Sequence, residues 1–229
     1  TGKLRPKFED APELYKESEL GWIPKEWEVK RLDEIGQVVT GNTPSTTNQK
    51  YYGSDFLFIS PADIGKTKYL VDSEKKLSVL GYKISRGITG GSICVVCIGS
   101  TIGKMAINRH DCATNQQINT IIPNNNALNE YYYYSVNRYV KKQLYIEAGL
   151  QAVPIVNKST FEKLKIAMPH NEKESDVIAK RLGSVDAYIE KLTIEEDKRL
   201  IIKQGLMQDL LTGKKEVTPD PEDYKEMEN

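Results

Sequence analysis

Residues 172–211 of the chain read EKESDVIAKRLGSVDAYIEKLTIEEDKRLIIKQGLMQDLL. This stretch contains no proline, it is preceded by Asn171, and Gly213 lies just beyond its end. Asparagine is a favoured residue at the start of a helix, and glycine is favoured just after the end. The sequence therefore predicts one helix of about 40 residues, which at 1.5 Å per residue is roughly 60 Å long.

Apolar side chains in this helix repeat with the 4-3 spacing of a coiled-coil seam. Seven of the ten seam positions are apolar, and the three polar positions are consecutive. An amphipathic helix of this length exceeds what a small domain can cover, so we expect a partner helix; a helix folded back on its own domain is the alternative. The predicted seam consists of Ile178, Leu182, Val185, Ile189, Leu192, Glu196, Arg199, Lys203, Leu206 and Leu210.

The preceding part of the chain, residues 36–170, alternates short apolar runs with turn residues, a pattern typical of short strands. A helix is predicted over residues 128–145, where apolar side chains keep helical spacing. The fold class is therefore α+β, with a mixed globular domain followed by a long C-terminal coiled-coil helix. The predicted strands are residues 56–60, 91–98, 105–108 and 120–122.

Two further segments complete the predicted organisation. Residues 1–35 include three prolines, which discourage a long helix, so we expect an extended segment that packs on the domain. The helix segment is taken as residues 171–215, and the acidic residues 216–229 are expected to be disordered.

Charge is unevenly distributed, although the chain has 32 basic and 32 acidic residues and no net charge. Residues 36–170 carry 15 basic and 8 acidic residues, which leaves this part at +7. Because phosphate binding responds to the local field, this part is compatible with DNA without requiring it. The absence of a long apolar stretch and of a secretory signal, with only three cysteines, predicts a cytoplasmic protein.

Candidate catalytic motifs are weak. Residues 99–104, GSTIGK, resemble a phosphate-binding loop, but only three residues separate the glycines and Met105 follows the lysine, so nucleotide hydrolysis is not expected. Asp63, Glu74 and Lys76 imitate the triplet of a metal-dependent nuclease, which stays open as an alternative.

The three cysteines do not have the arrangement of a zinc site. Cys94 and Cys97 lie in an apolar run, where residues three apart point to opposite faces of a strand. We therefore expect them to be buried structural residues and not zinc ligands with His110 and Cys112. No catalytic residue, metal site or cofactor is predicted for this chain.

Polar residues of the globular domain suit recognition of DNA. Side-chain amides at residues 115–117 can pair with adenine edges, residues 41–50 form a long polar loop, and scattered lysines and arginines, Lys83 among them, can neutralise phosphates. The candidate DNA-binding residues are Thr43, Ser45, Asn48, Lys50, Lys66, Lys68, Arg86, Lys104, Asn115, Gln116 and Gln117.

A series of short stretches resembles, in order, the DNA-specificity subunits of type I restriction–modification systems. The resemblance covers about residues 18–215, nearly the whole chain. The matching stretches are LGWIPKEW at 20–27, TGNTPS at 40–45, ISPADIG at 59–65, GSTIGK at 99–104, ATNQQ at 113–117, NKS at 157–159 and LLTGK at 210–214.

The resemblance implies a non-catalytic subunit whose target recognition domains are separated by helical spacers that pair antiparallel. Residues 36–170 would be one such domain, and residues 171–215 would be one spacer. The resemblance also implies modification subunits that use adenosylmethionine for adenine methylation. Restriction subunits would join through them and cut DNA with ATP and Mg²⁺.

The chain resembles half of such a subunit, because the usual form has two recognition domains and two spacers. Thr-Gly-Lys stands at residues 1–3 and again at 212–214, as one unit of a tandem repeat would show. We therefore expect an antiparallel homodimer through residues 172–211 that reads a bipartite double-stranded DNA site and positions modification and restriction subunits. The alternative is an assembly scaffold for methyltransferase subunits without its own DNA preference.

Overall fold

The structure is a computed structural model that describes residues 5–65, 67–149 and 153–217. The chain divides into two compact units, Thr1–Ala179 and Lys180–Asn229. This boundary falls inside the long helix and not at its start, because Ser175 and Ala179 in the first turns are buried in the first unit. Of the predicted acidic tail, residues 218–229 lie outside the described residues.

The first unit contains a five-stranded sheet, a four-stranded sheet and two small two-stranded sheets in its described part. The strands are β1 Tyr15–Ser18, β2 Gly21–Pro24, β3 Trp27–Arg31, β4 Gly36–Thr40, β5 Tyr52–Ile59, β6 Tyr69–Leu70, β7 Lys75–Leu77, β8 Gly87–Ile88, β9 Ile93–Val96, β10 Met105–Asn108, β11 Cys112–Thr114, β12 Ile118–Pro123 and β13 Lys165–Pro169. The helices are α1 Leu32–Ile35, α2 Val79–Ile84, α3 Asn129–Ser135, α4 Lys141–Ala148, α5 Lys158–Phe161 and α6 Glu172–Leu211.

The five-stranded sheet has the order β4-β12-β9-β10-β6 and is covered on both faces. Successive residues of β9 alternate between two apolar clusters: Ile93 and Val95 join one, whereas Cys94 and Val96 join the other. A strand buried on both faces is a continuous apolar run without polar alternation, which is what the sequence of β9 shows.

Each apolar cluster joins the central sheet to a different layer. The larger cluster packs the sheet against α3, α4 and the π-helical turn between them, through Tyr131, Leu144 and Val140 respectively. The second cluster contains Ile88 and Cys112 from the four-stranded sheet, whose order is β7-β5-β11-β8. The first unit is therefore built as helices, five-stranded sheet and four-stranded sheet, so the predicted α+β class with a long C-terminal helix is confirmed.

The predicted elements agree with the structure where local pattern decides them. The strand at 105–108 is confirmed as predicted, and those at 91–98 and 120–122 are confirmed with shifted ends. The predicted helix 128–145 contains a π-helical turn, Val136–Val140, between α3 and α4. The fourth predicted strand, 56–60, is the end of the longer β5.

The N-terminal segment is tied to the domain by strand pairing and by contacts with the start of α6. β3 pairs antiparallel with β13, so this segment forms part of a sheet. The indole nitrogen of Trp27 donates to the Glu174 carboxylate at 3.2 Å, and the Arg5 guanidinium lies 3.3 Å from the same carboxylate. These contacts fix the first turns of α6 within the first unit.

The three cysteines are free and buried, as expected from the sequence. Burial in apolar surroundings raises the pKa of the Cys94 and Cys97 thiols to about 12, because the charged thiolate is poorly solvated there. In the described part of the chain, no group of three or more histidine, cysteine, aspartate or glutamate residues is placed to hold a metal ion. Among the described helices, none combines the length and the apolar character that a membrane crossing requires.

We predict opposite effects for two glycine-to-alanine substitutions in helices. A Cβ on Gly81 in α2 would overlap the Tyr51 carbonyl oxygen, so Gly81→Ala is expected to lower the free energy of unfolding by about 1–3 kcal/mol. At Gly205 in α6, the described residues leave the Cβ position open, so Gly205→Ala is expected to stabilise its helix by up to about 1 kcal/mol. Urea unfolding followed by circular dichroism measures both; equal stabilities would contradict the close packing of α2.

Candidate nucleic-acid interface

The turn between β11 and β12 lies at the centre of the candidate interface. The Asn115 side-chain oxygen accepts from the Gln117 backbone N–H at 3.0 Å, and its amide nitrogen donates to the Gln117 side-chain oxygen at 3.1 Å. Two of the predicted recognition amides therefore hold the turn in shape. The third, Gln116, is exposed at the tip of the turn.

The polar loop that follows β4 lies directly against this turn. The Asn42 backbone N–H donates to the Thr114 carbonyl at 3.0 Å, and the Thr43 hydroxyl donates to the Gln116 side-chain oxygen at 2.7 Å. A Cβ on Gly41 would overlap the backbone of Thr114, so this close approach needs glycine. The predicted residues Thr43 and Gln116, distant in sequence, are thus brought into contact.

Other predicted residues of this loop have structural partners of their own. The Asn48 side chain accepts from the Lys50 backbone N–H at 3.2 Å and caps the short 3₁₀ turn Gln49–Tyr51. The Ser45 hydroxyl lies 2.8 Å from that of Thr47, and both residues are exposed. Lys50 is exposed, which leaves its ammonium in solvent.

Helix α2 and the residues after it lie along the same loop. The Ser78 backbone N–H donates to the Tyr51 carbonyl at 3.0 Å. At the other end of the helix, the Arg86 backbone N–H donates to the Asn42 side-chain oxygen at 2.7 Å, and its guanidinium donates to the Thr40 carbonyl at 2.9 Å. The guanidinium of Arg86 is thus held beside the loop while the residue remains exposed.

The loop between β9 and β10 lies on the other side of the central turn. A Cβ on Gly99 would be 3.7 Å from the Gln117 amide nitrogen, which places this loop beside the turn. Lys104 at its end is exposed, and its side-chain stem passes close to Gly65. Gly103 adjoins Lys141 of α4.

Helix α4 and the π-helical turn before it add basic residues that the sequence analysis missed. Arg138, Lys141 and Lys142 are exposed, and Lys141 neighbours the loop that contains Lys104. The available signal is the Lys-Lys pair at residues 141 and 142, on the polar side of the predicted helix 128–145.

Acidic residues are absent from the sequence segments that build this surface. Residues 41–52, 78–88, 98–108, 113–127 and 131–146 contain no aspartate or glutamate. The basic residues in these segments are Lys50, Lys83, Arg86, Lys104, Arg138, Lys141 and Lys142. The surface around the turn therefore combines polar amides and hydroxyls with positive charge.

Lys68 differs from the other predicted lysines that are described, because the structure places it in a partly buried network. Its ammonium donates to the Tyr134 hydroxyl at 2.9 Å and lies 3.4 Å from the Glu130 carboxylate. Burial alone would lower the pKa of Lys68, but the Tyr134 hydrogen bond and the Glu130 charge outweigh it, and the pKa is raised. The other predicted lysine of this region, Lys66, lies outside the described residues.

The nuclease-like triplet is used for local structure. The Asp63 carboxylate accepts from the Ser60 backbone N–H and hydroxyl and from the Glu74 backbone N–H, at 2.7–2.9 Å. The Lys76 ammonium pairs with Asp72 at 2.8 Å. A carboxylate that closes a turn through three donors is a structural residue, so the geometry gives no support to the nuclease alternative.

In the second unit, the predicted seam side chains are exposed along α6. The apolar members from Leu182 to Leu210 and the polar members Glu196, Arg199 and Lys203 all lie on the surface. Arg199 pairs with Glu195 one turn earlier at 2.6 Å. Ile178 differs, because it belongs to the first unit and packs against that unit's core.

Two solved structures share this fold at low sequence identity. A chain described under the complex assembly and conformational transition of the type I R-M system superposes with a TM-score of 0.60 at 15% identity, covering 88% of this chain and 49% of that one. The S subunit of a type I restriction–modification system from M. genitalium gives 0.57 at 15% identity, covering 81% and 46%. At this identity, the likeness concerns the fold alone.

Sequence comparison gives the family. Residues 24–200 match the type I restriction modification DNA specificity domain. The HindI type I restriction enzyme specificity subunit of Haemophilus influenzae is 33% identical over 198 residues, which are 83% of this chain and 42% of that protein. The MjaIX specificity subunit of Methanocaldococcus jannaschii is 30% identical over 194 residues, or 81% and 42%. The chain spans less than half of these relatives, and it belongs to the family of type I restriction–modification DNA specificity domains.

Proposed function

We propose that this chain is a non-catalytic specificity component that recognises a sequence in double-stranded DNA. The observation that carries the proposal is the surface around the Asn115–Gln117 turn, where polar side chains lie beside segments that bring Arg86, Lys104 and Lys141 to the same region. A DNA duplex is a dense polyanion, and proteins bind it through lysine and arginine contacts with phosphates.

The residues of this surface divide into two roles under the proposal. Lys50 and Arg86 on one side of the turn, and Lys104 and Lys141 on the other, would contact phosphates. Gln116 would offer its amide to a base edge, because glutamine can form two hydrogen bonds with adenine in the major groove. Asn115 and Gln117 would position Gln116 through their mutual hydrogen bonds.

We also propose that two copies of the chain pair antiparallel through α6 and read a bipartite site. Exposed apolar side chains at seam spacing support a helical partner, since such a surface is stabilised by burial. The seam would start at Leu182, because Ile178 already packs on its own domain. A twofold axis would require a symmetric pair of half-sites.

The polar layer of Glu196, Arg199 and Lys203 would set the register of this dimer by pairing across the helices. Replacing all three with leucine is expected to relax the register at a gain in stability. Cross-linking between cysteines placed at opposite ends of the helix would then report more than one alignment.

The partners follow from the same proposal. Modification subunits would bind the chain and supply adenosylmethionine-dependent methylation of adenine, and restriction subunits would join through them with ATP and Mg²⁺. The chain itself would hold none of these cofactors and would act in the cytoplasm. Its contribution would be to determine which DNA sequence the complex binds.

A scaffold without DNA preference is the second candidate. The exposed apolar side chains of α6 outside the seam, such as Ile194 and Ile201, favour it because they offer more surface than one partner helix covers. A scaffold of this kind would bind methyltransferase subunits but would show neither steep salt dependence nor sequence preference.

We predict that the Kd for DNA rises steeply with salt concentration. Individual lysines are expected to contribute to the slope of log Kd against log salt. Lys50→Ala and Lys104→Ala are each expected to reduce the slope of log Kd against log salt by about one, because one phosphate contact is lost. Lys7→Ala, an exposed lysine of the N-terminal segment, serves as the matched control and is expected to leave the slope unchanged. Fluorescence anisotropy with labelled duplexes measures all three, and equal slopes would contradict the proposed surface.

We predict that one face of α6 alone controls dimerisation. Leu192 lies on the seam and is 47% exposed, whereas Ile194 is 49% exposed two residues later, about 200° around the helix. Leu192→Asp is expected to yield a single-chain mass, because it buries a charge at the interface, whereas Ile194→Asp is expected to remain a dimer. Light scattering measures the mass, and the same mass for both variants would argue against this seam.

A further inference from the structure

We propose that the outward face of α2 reads base edges in the major groove, with Val79 and Leu80 packing on thymine methyl groups. This inference rests on the proposed DNA-binding function and identifies side chains that would carry specificity. Val79, Leu80 and Ile84 are 50%, 47% and 46% exposed, and they form an apolar surface on a helix of six residues.

The inner face of α2 is fixed, so these side chains cannot turn inward. Gly81 lies against the Tyr51 carbonyl, and the Tyr82 ring stacks on Phe56 with centroids 4.0 Å apart and planes 6° from parallel. The close approach at Gly81 and the ring stack hold one side of the helix. The opposite side is therefore held towards solvent.

The ends of the helix are fixed as well. The Ser78 hydroxyl accepts from the Gly81 backbone N–H at 3.1 Å, and the Val79 backbone N–H donates to Asp55 at 3.1 Å. After the helix, Arg86 is bonded to Asn42 of the polar loop. A reading element needs such rigidity, because discrimination between bases depends on placement to a fraction of an ångström.

The charges around α2 favour DNA over a protein partner. Residues 78–88 contain Lys83 and Arg86 and no acidic residue, and exposed Lys50 lies in the adjoining loop. One acidic residue, the exposed Asp55 of β5, lies at the start of the helix, where its carboxylate accepts from the Val79 N–H. An apolar strip bordered by positive charge matches a groove whose floor displays methyl groups and whose rims are phosphates.

The dimensions also agree. An α-helix with its side chains is about 10–12 Å across, and the major groove of B-DNA is about 12 Å wide and admits a helix. Thymine contributes the 5-methyl group to that groove, and apolar side chains contact it. The thymine methyl is therefore the chemical group that the Val79–Leu80 surface fits.

Deoxyuridine substitution tests this inference with the full chain. A duplex is first selected from a random library, and each thymine of the selected site is then replaced singly by deoxyuridine, which removes only the methyl group. We expect wild-type protein to bind about fourfold more weakly when deoxyuridine replaces thymine at one or two of these positions. This is the loss expected when one buried methyl group is removed. The Val79→Ala/Leu80→Ala variant is expected to bind the thymine and uracil duplexes equally, with an unchanged salt slope.

Val71→Ala is the matched control, because Val71 is 66% exposed and lies outside α2. This variant is expected to keep the full difference between thymine and uracil. A uracil effect that persists in the double variant, or that occurs at no position, would overturn the reading role of α2 while sequence-selective binding stands. A library from which wild-type protein selects no sequence would overturn the proposed function together with this inference.

Discussion

The side-chain hydrogen bonds of Asn115 set the geometry on which the candidate interface depends. They close the turn at which the chain leaves β11 in one sheet and enters β12 in the other. The loop after β4 approaches the turn from one side, and the loop after β9 adjoins it on the other. These two loops, far apart in sequence, therefore share one surface because both contact the stretch from Thr114 to Gln117.

The sequence predicts the parts of this fold that local pattern determines. β9 and β10 are apolar runs bounded by turn residues, and α6 has a cap, a glycine stop and a seam repeat. It does not predict α2, because six residues cannot form a stable helix alone and Gly81 reads as a helix breaker until Tyr51 is packed against it. The β3–β13 pairing was also missed, since it joins residues more than 130 positions apart.

Residue type identifies candidate DNA-binding residues, but it does not predict the partners that these side chains find in the fold. Lys50 and Lys68 look alike in the sequence, yet one is exposed and the other is bonded to Glu130 and Tyr134. Similarly, Asn48 and Asn115 are both predicted DNA-binding residues, and the side chains of both accept from backbone N–H groups. A short polar side chain in a turn satisfies backbone groups locally, which is what the side chains of these two asparagines do.

Charge distinguishes the two exposed apolar surfaces of this chain. Residues 171–215 carry nine basic and nine acidic residues, so α6 is electrically balanced and suited to another helix of the same composition. Residues 78–88 contain apolar and basic residues and no acidic residue. A second copy of this positively charged segment would be repelled, whereas a polyanion would be attracted. Burying the apolar side chains of either surface against a partner is favourable. From the balance of charge we infer that the long helix meets a copy of itself, while α2 meets DNA.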